Sequence, residues 1–342
     1  MVGKIEKLLS FLYYKETSIF GRSILVNTLV EPKIIYLTQT LDIPTDILKQ
    51  INKHIRTFIF KGTISNIRHT TLIQDKKNGG INLHDIRTKT KAFRLKYMKD
   101  VINNREQYPL AHYYIGTHIT KHITIDNTQP HHFGYLPTFY KTCITTLKNH
   151  PLLINKTTTK AIYKEIVHTL ATPLYEQIKR GTQYALIDLS DSITNLHIPY
   201  TTAIQKQITY RLLFTNTPVS SPKCTTCRKN VVETEEHVFF FCPCLKNIKQ
   251  ALYKFLNTKI TTQTDIYKAI FLNMIPKQDK QFHIIKLIIL ALYRDTAWTV
   301  RLQTKFSDKH HTTKTILDMF IHKIKYTLTK HELWAAFERM TD

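Results

Sequence analysis

Glycine is scarce in this chain of 342 residues: there are eight, and none follows Gly181. Tight β-turns need residues that accept positive φ, so the second half of the sequence is not expected to build hairpins and reads as helical. Long apolar runs are missing too. In the most hydrophobic stretch the run without a charge is only Leu287 to Tyr293, far short of the ~20 residues that a membrane span needs, and no membrane association is expected. The opening Met1-Val-Gly-Lys-Ile-Glu-Lys has no basic region leading into an apolar core. That argues against a secretory signal and for a reducing, intracellular location, nucleus or cytoplasm. The five cysteines then read as thiols or metal ligands rather than disulfides. Acidic residues are the last shortage: 25 Asp and Glu stand against 49 Lys and Arg, a formal net charge of +24. A large anionic partner is the simplest use for such a field.

What is present is globular in composition, with 42% hydrophobic residues, and patterned for helices. Ile47, Leu48, Ile51, Ile55, Phe58 and Ile59 recur at helical spacing behind Thr45, a candidate N-cap, while Lys49, Lys53 and Arg56 fall on other faces. A second helix is expected from about Asp85. In it Ile86, Thr90, Phe93, Tyr97 and Val101 trace the core face, and Arg87, Lys91 and Arg94 trace a cationic stripe. Between the two, Asn78-Gly79-Gly80 and then Ile81-Asn82-Leu83 suit a turn followed by a short strand or extended arm. Residues 106 to 204 are broken by prolines into short pieces and read as a helical connector. Further on, Phe282 to Leu302 predicts a buried helix, and Ile316, Leu317, Phe320, Ile321, Ile324 and Leu328 an amphipathic one. The fold expected is mainly α, with four segments: 1–105 basic and helical, 106–204 connector, 205–250 metal-binding and 251–342 helical.

Four of the five cysteines lie between 224 and 244, and Cys224, Cys227, His237 and Cys242 form C-x2-C-x9-H-x4-C. Three soft thiolates and an imidazole suit one tetrahedral Zn2+, because a two-residue gap lets a tight knuckle present both sulfurs to the same ion. Four protein ligands imply a closed, structural site. Cys244 is an alternative to Cys242 as fourth ligand, and burial of unmetallated thiols is the competing reading of the cluster. Glu233-Thr234-Glu235-Glu236 puts acids at the expected start of the helix carrying His237, where the macrodipole favours them. Cys143 stands apart and reads as a core residue.

Two sets of residues resemble one family, the region downstream of the palm in reverse transcriptases of non-LTR (LINE-type) retrotransposons. The first is TSIFGRSILVNTLVEPKIIYL, where Ser18, Gly21, Arg22, Leu25, Pro32, Lys33 and Tyr36 match a thumb segment. It is followed by Ile51 to Phe60 with Lys61-Gly62, in which Phe60 stands where the family usually has Trp, and by Gly79-Gly80-Ile81-Asn82-Leu83-His84-Asp85. The second, CTTCRKNVVETEEHVFFFCP, is similar to that family's zinc-binding segment through Glu233, Thr234, His237, Phe239, Cys242 and Pro243. The resemblance covers roughly 5–105 and 205–250. It implies a thumb that grips the backbone of an RNA or DNA template-primer, with Arg87, Lys91 and Arg94 against phosphates and Lys49, Lys53 and Arg56 as a second row. Since Met1 stands almost at the thumb boundary, a separate C-terminal portion of such a polyprotein is expected, with its palm supplied upstream or in trans.

From Lys49 to Lys99 there are thirteen Lys or Arg against Asp75 and Asp85, a net +11, so much of the excess charge lies on one module. Binding governed by phosphates should be steeply salt-dependent and indifferent to sequence. Polymerisation needs paired aspartates to hold two metal ions, and the sequence has no Asp-Asp pair and no Pro-Asp dipeptide of the related nuclease motif. The chain is therefore not expected to be an enzyme on its own. A zinc-stabilised, helical protein-interaction scaffold, from a domesticated or degenerate element, is the alternative.

Overall fold

The computed structural model describes residues 2–39, 41–62, 67–120, 122, 135–171, 189–214, 217–219, 221–256, 262–276 and 279–341. Pro130 and Pro173, two of the prolines that interrupt residues 106–204, and Gly181, the last glycine of the sequence, lie outside these. The described residues are mainly helical, and the one β pairing among them is an isolated antiparallel bridge between Ser221 and Glu233. The arm at Ile81–Leu83 forms no strand. Asn82 takes positive φ, which breaks the extended run, and the Ile81 and Leu83 amides both donate to the Leu72 carbonyl at 3.1 Å.

Two compact units make up the chain: Met1–Gly62, His69–Asp75 and Gly80–Thr172 form one, and Thr63–Arg68, Lys76–Gly79 and Pro173–Asp342 the other. The connector expected at 106–204 is thus divided between them. The breaks expected at 105 and 250 fall inside continuous cores, since one apolar cluster runs from Ala92 to Ile166 and another from Ile208 to Phe337.

In the first unit α1 (Val2–Tyr13) packs on α4 (Thr45–Phe60), while α2 (Ile19–Leu25) passes through a π-helical turn at Val26–Val30 into α3 (Glu31–Thr38). α4 buries Leu48, Ile51, Ile55, Phe58 and Ile59, as its periodicity predicts, though Pro44 rather than Thr45 is its N-cap. It ends with Lys61 and Gly62 both at positive φ and the Gly62 amide bonded to the Thr57 carbonyl at 2.8 Å. This Schellman-type stop is why glycine suits position 62. The orphan carbonyl of Ile59 is reached by the buried Arg22 guanidinium at 2.8 Å, which also donates to the Thr17 carbonyl at 2.6 Å.

Helix α5 (Ile86–Asn103) starts at Asp85, whose carboxylate accepts from the Thr88 amide at 2.8 Å. It packs against α3, α7 (Thr138–Asn149) and α8 (Thr159–Thr169); the short α6 spans Pro109–Tyr114. Its core face is Ile86, Ala92, Leu95, Met98 and Val101. The expected face through Thr90, Phe93 and Tyr97 is therefore rotated from the real one, and Tyr97 is 45% exposed.

The second unit comprises α9 (Ser190–Leu196), α10 (Ala203–Leu213), the Cys/His segment, α11 (Lys246–Leu256), α12 (Gln263–Leu272), α13 (Lys280–Ser307), α14 (Thr313–Lys330) and α15 (Trp334–Thr341). α13, whose 28 residues contain neither Gly nor Pro, is the axis on which α10, α11, α14 and α15 pack. Thr202 with Gln205 and Thr262 with Asp265 form capping boxes at α10 and α12. Arg294, 1% exposed on α13, donates to the Ala269 and Ile270 carbonyls at 2.7 and 2.8 Å, and to Asn273 and Thr209 at 3.0 and 3.1 Å. The cation closes the C-terminal turn of α12, where the helix dipole favours positive charge. In α14 the buried residues are Ile316, Phe320, Ile324 and Leu328, while Ile321 faces outward. Among the described residues no helix is long and apolar enough to cross a membrane.

Candidate metal centre and basic surface

Cys224, Cys227, His237 and Cys242 converge, each offering one ligand atom with all four within 4.8 Å of one another. The first pair sits on a turn in which the Arg228 amide donates to the Cys224 carbonyl at 3.0 Å and Arg228 itself takes positive φ. That curl aims the Cys227 amide at the Cys224 sulfur, 3.5 Å away. The second pair comes from a π-helical turn, His237–Phe241, closed by the Cys242 amide on the His237 carbonyl at 2.7 Å. One residue more than an α-turn brings Cys242 back beneath His237. Cys227 Sγ and His237 Nε2 lie 3.4 Å apart, close to the roughly 3.5 Å edge that a tetrahedron of 2.3 Å sulfur and 2.0–2.1 Å nitrogen bonds would have. The residues present can therefore hold a metal ion in a closed, four-ligand site.

Cys244 is not among the converging atoms. Its thiol donates to the Thr226 carbonyl at 3.6 Å, which ties it to the back of the knuckle. Within the cluster the Cys224 thiol is lowered, chiefly because Cys242 donates to it and then through the amides of Cys227 and Thr226, against its burial. The same contact raises Cys242. Cys143, outside the site, is buried in the first unit and pushed up to about 12 by that burial, as a core residue should be.

Of the acids before His237, Glu235 and Glu236 open the helical turn that carries it, as expected, while Glu233 lies ahead of that turn. Glu233 is buried, accepting from Arg301 Nε and a terminal nitrogen at 2.9 and 2.5 Å and from the Thr225 hydroxyl at 2.8 Å. Burial would raise its carboxyl, but the Arg301 bond, the Thr225 bond and the Arg301 charge outweigh it and leave it lowered. Glu233 thus locks the turn between Cys224 and Cys227 to α13. Glu235 accepts from the Thr217 amide at 2.7 Å, and the Thr234 hydroxyl accepts from the His237 amide at 3.1 Å. Cys224 and Cys242 belong to the apolar core of this unit, and the Tyr293 hydroxyl holds the Phe239 carbonyl at 2.8 Å. Thr225 and Arg301 were not legible from ligand spacing. The one signal was that Arg301 lies on a largely apolar helix, α13, where Lys286 and Arg294 are set among apolar residues as well.

The basic residues of the first unit divide. On α4 Lys49 and Lys53 are exposed and Arg56 half-buried, its guanidinium lowered by desolvation. With Thr45 they make one stripe, and Arg87 at the start of α5 donates to the Thr45 hydroxyl at 3.4 Å. Lys91 lies half-buried one turn on, lining a groove of about 320 Å³ with Arg87. Arg94 does not present its charge to that surface. It is 3% exposed, donating to Asp42 at 2.7 Å and to the Thr38 and Leu41 carbonyls at 2.9 Å. It fastens the end of α3 to α5, and phosphate contact by its guanidinium is corrected to a structural role.

Three residues of the segment 17–37, none of them among the seven matched to the thumb pattern, hold the arm 81–84. The Ser23 hydroxyl donates to the Ile81 carbonyl at 2.9 Å, and Asn27 bridges the Asn82 carbonyl and the His84 amide at 2.7 and 2.9 Å. Glu31 accepts from Lys89 at 3.1 Å and makes a short hydrogen bond with His84. No family model matches the sequence, and a search of curated proteins finds no relative.

Proposed function

We propose that this chain is a nucleic-acid-binding, zinc-stabilised part of a non-LTR retrotransposon reverse transcriptase, the thumb and zinc-binding regions without the palm. The observation that carries the reading is the cationic surface of exposed Lys49, Lys53 and Arg87, with half-buried Arg56 and Lys91 beside them, on a unit that holds ten of the thirteen Lys and Arg between Lys49 and Lys99 against Asp75 and Asp85, a net +8. Helices presenting lysines and arginines offer phosphates affinity without sequence information. Supporting the family reading, the segment 17–37 that resembles the thumb has linked structural roles, one of them through the matched Arg22. Arg22 closes α4, and Ser23 and Asn27 hold the Gly-Gly arm.

The metal is Zn2+ in this proposal, because three thiolates and one imidazole in a closed site match its preferences. Such an ion stabilises the fold and leaves no position for substrate. The chain does not polymerise alone, lacking an Asp-Asp pair, and works with a palm from elsewhere.

The test is binding of the purified chain to single-stranded RNA, duplex DNA and an RNA–DNA hybrid across a salt series, beside a K49A/R87A/K91A variant. We expect affinity to fall steeply between low and physiological salt and the variant to lose on the order of tenfold or more with a shallower slope. Affinity that ignores salt, or a variant equal to the parent, would refute it. A second reading, a protein-docking scaffold, is favoured by the apolar Ile24, Leu29 and Tyr36 exposed on α2–α3, Tyr36 at 77%. It predicts the second result together with weak binding to every nucleic acid.

A further inference from the structure

Beside the basic groove the first unit contains a larger cavity, of about 650 Å³, that phosphate binding does not account for. Its walls are aromatic: Phe93 and Tyr97 from α5, Phe139 and Tyr140 from α7. Tyr97 stands edge-on to Phe139 at 5.9 Å and 89°, and Tyr108 meets it at 6.0 Å and 64°. Two ring contacts thus hold Tyr97 in the lining while 45% of it stays exposed. An exposed tyrosine on a helix whose apolar stripe lies elsewhere is not there to fill the core.

The polar part of the lining is equally specific. Gln39 supplies an amide with both donors and an acceptor, Asp100 a carboxylate and Thr159 a hydroxyl, while Lys96 is paired with Asp100. Flat π surfaces with a few groups that donate and accept suit a planar heterocycle with a hydrogen-bonding edge, in a volume within the roughly 300–1,000 Å³ of small-ligand sites. Arg94 is common to this cavity and to the groove of Arg87 and Lys91, its guanidinium lying 5.5 Å from the Phe139 ring. The cationic groove of Arg87 and Lys91 thus adjoins an aromatic cleft, with the buried, Asp42-paired Arg94 as a shared wall, the combination that grips unpaired strands, with phosphates tracked by charge and bases stacked on rings.

We infer that the cleft between α5 and α7 is a stacking site for an unpaired base of a single strand whose phosphates follow Arg87 and Lys91. The inference rests on the nucleic-acid reading above and adds to it a preference for unpaired over fully duplex substrate. A duplex buries its base faces and can use only the cationic groove.

The experiment compares three probes on the full chain by fluorescence anisotropy at fixed salt: a 12-nucleotide oligouridylate, the same strand with consecutive abasic positions, and a blunt RNA–DNA hybrid. Each is read with the parent, Tyr97→Ala and Tyr97→Phe, whose folding is checked by thermal melting. Stacking is worth about one order of magnitude per base. We expect Tyr97→Ala to weaken oligouridylate binding about tenfold and Tyr97→Phe to restore it. The abasic strand should bind weakly to all three proteins, and the hybrid equally to all. Equal binding of normal and abasic strands, or no effect of Tyr97→Ala, overturns the stacking site; if affinity stays salt-steep the phosphate reading survives. Free uridine monophosphate competing as well as the strand, base for base, would make the site one for nucleotides and overturn it too. Absence of salt-steep binding to any probe removes both readings.

Discussion

At Glu233 the desolvation of a buried carboxylate is set against the two bonds that reach it from Arg301. Removing one partner leaves the other charge buried alone, which costs more than the pair is worth. Glu233→Gln should lower the stability of the second unit by about 3 kcal/mol in chemical denaturation. Glu233→Gln with Arg301→Met should recover part of that, and a double variant as unstable as the sum of the singles would contradict a direct pair. The cysteines separate as cleanly. Cys244 bonds the Thr226 carbonyl and lies outside the converging set, so Cys244→Ser should purify with one equivalent of metal and Cys242→Ser with less. Equal metal loss in the two would place Cys244 in the site. Gly80 has its own constraint, because a Cβ there would sit 1.8 Å from the Gln74 carbonyl oxygen. Gly80→Ala must displace the 81–83 arm, and a loss of about 2 kcal/mol or more is expected in the melting of the first unit.

Among the elements, α3 and the start of α5 are joined by carboxylates as well as by packing. Burial acts to raise Glu31, but its His84 bond and the charges of His84 and Lys89 lower it below the usual carboxylate value. Asp85 is lowered in the same way, its His69 and Thr88 bonds outweighing burial. A carboxyl lowered on folding stabilises above its unfolded value and loses that contribution as pH falls through the folded one. Stability of the first unit should therefore be level from neutral pH to about 5 and decline below the ordinary carboxylate range of about 4. Glu31→Gln should be less stable at pH 7 and show a shallower acid decline in circular dichroism; an unchanged acid slope would remove Glu31 from the account. These elements also show what the sequence could disclose. The α4 face was legible because Leu48, Ile51, Ile55, Phe58 and Ile59 leave a single solution. On α5 the alternation of Thr, Lys and aromatics gives no such contrast, and small Ala92 and Met98 form the core while larger rings do not. Arg94 was misplaced because its partners Thr38, Leu41 and Asp42 are more than fifty residues away. The metal set was legible because its ligands lie within nineteen residues of chain. Its clamp was not, since Arg301 comes from 68 residues beyond Glu233.

On the scale of the whole molecule, the two units carry separate cores, and only one contains ligand cysteines: Cys224 and Cys242 pack among the side chains of α11 to α15. Metal binding is linked to folding, because the unfolded chain has no preformed site and the thiols must give up their protons to bind. Chelation should thus lower the melting temperature of the second unit and leave the first where it was. Leu95→Ala, fully buried on α5, supplies the converse, a loss of about 3 kcal/mol confined to the first unit. Calorimetry of the parent with and without chelator, and of the variant, distinguishes the cases: two transitions, one moved by each change, follow from independent cores. A single transition moved equally by chelator and by Leu95→Ala would mean that the metal stabilises the first unit as well. The cationic surface would then depend on a site in another unit, and loss of metal would weaken nucleic-acid binding without touching a phosphate contact.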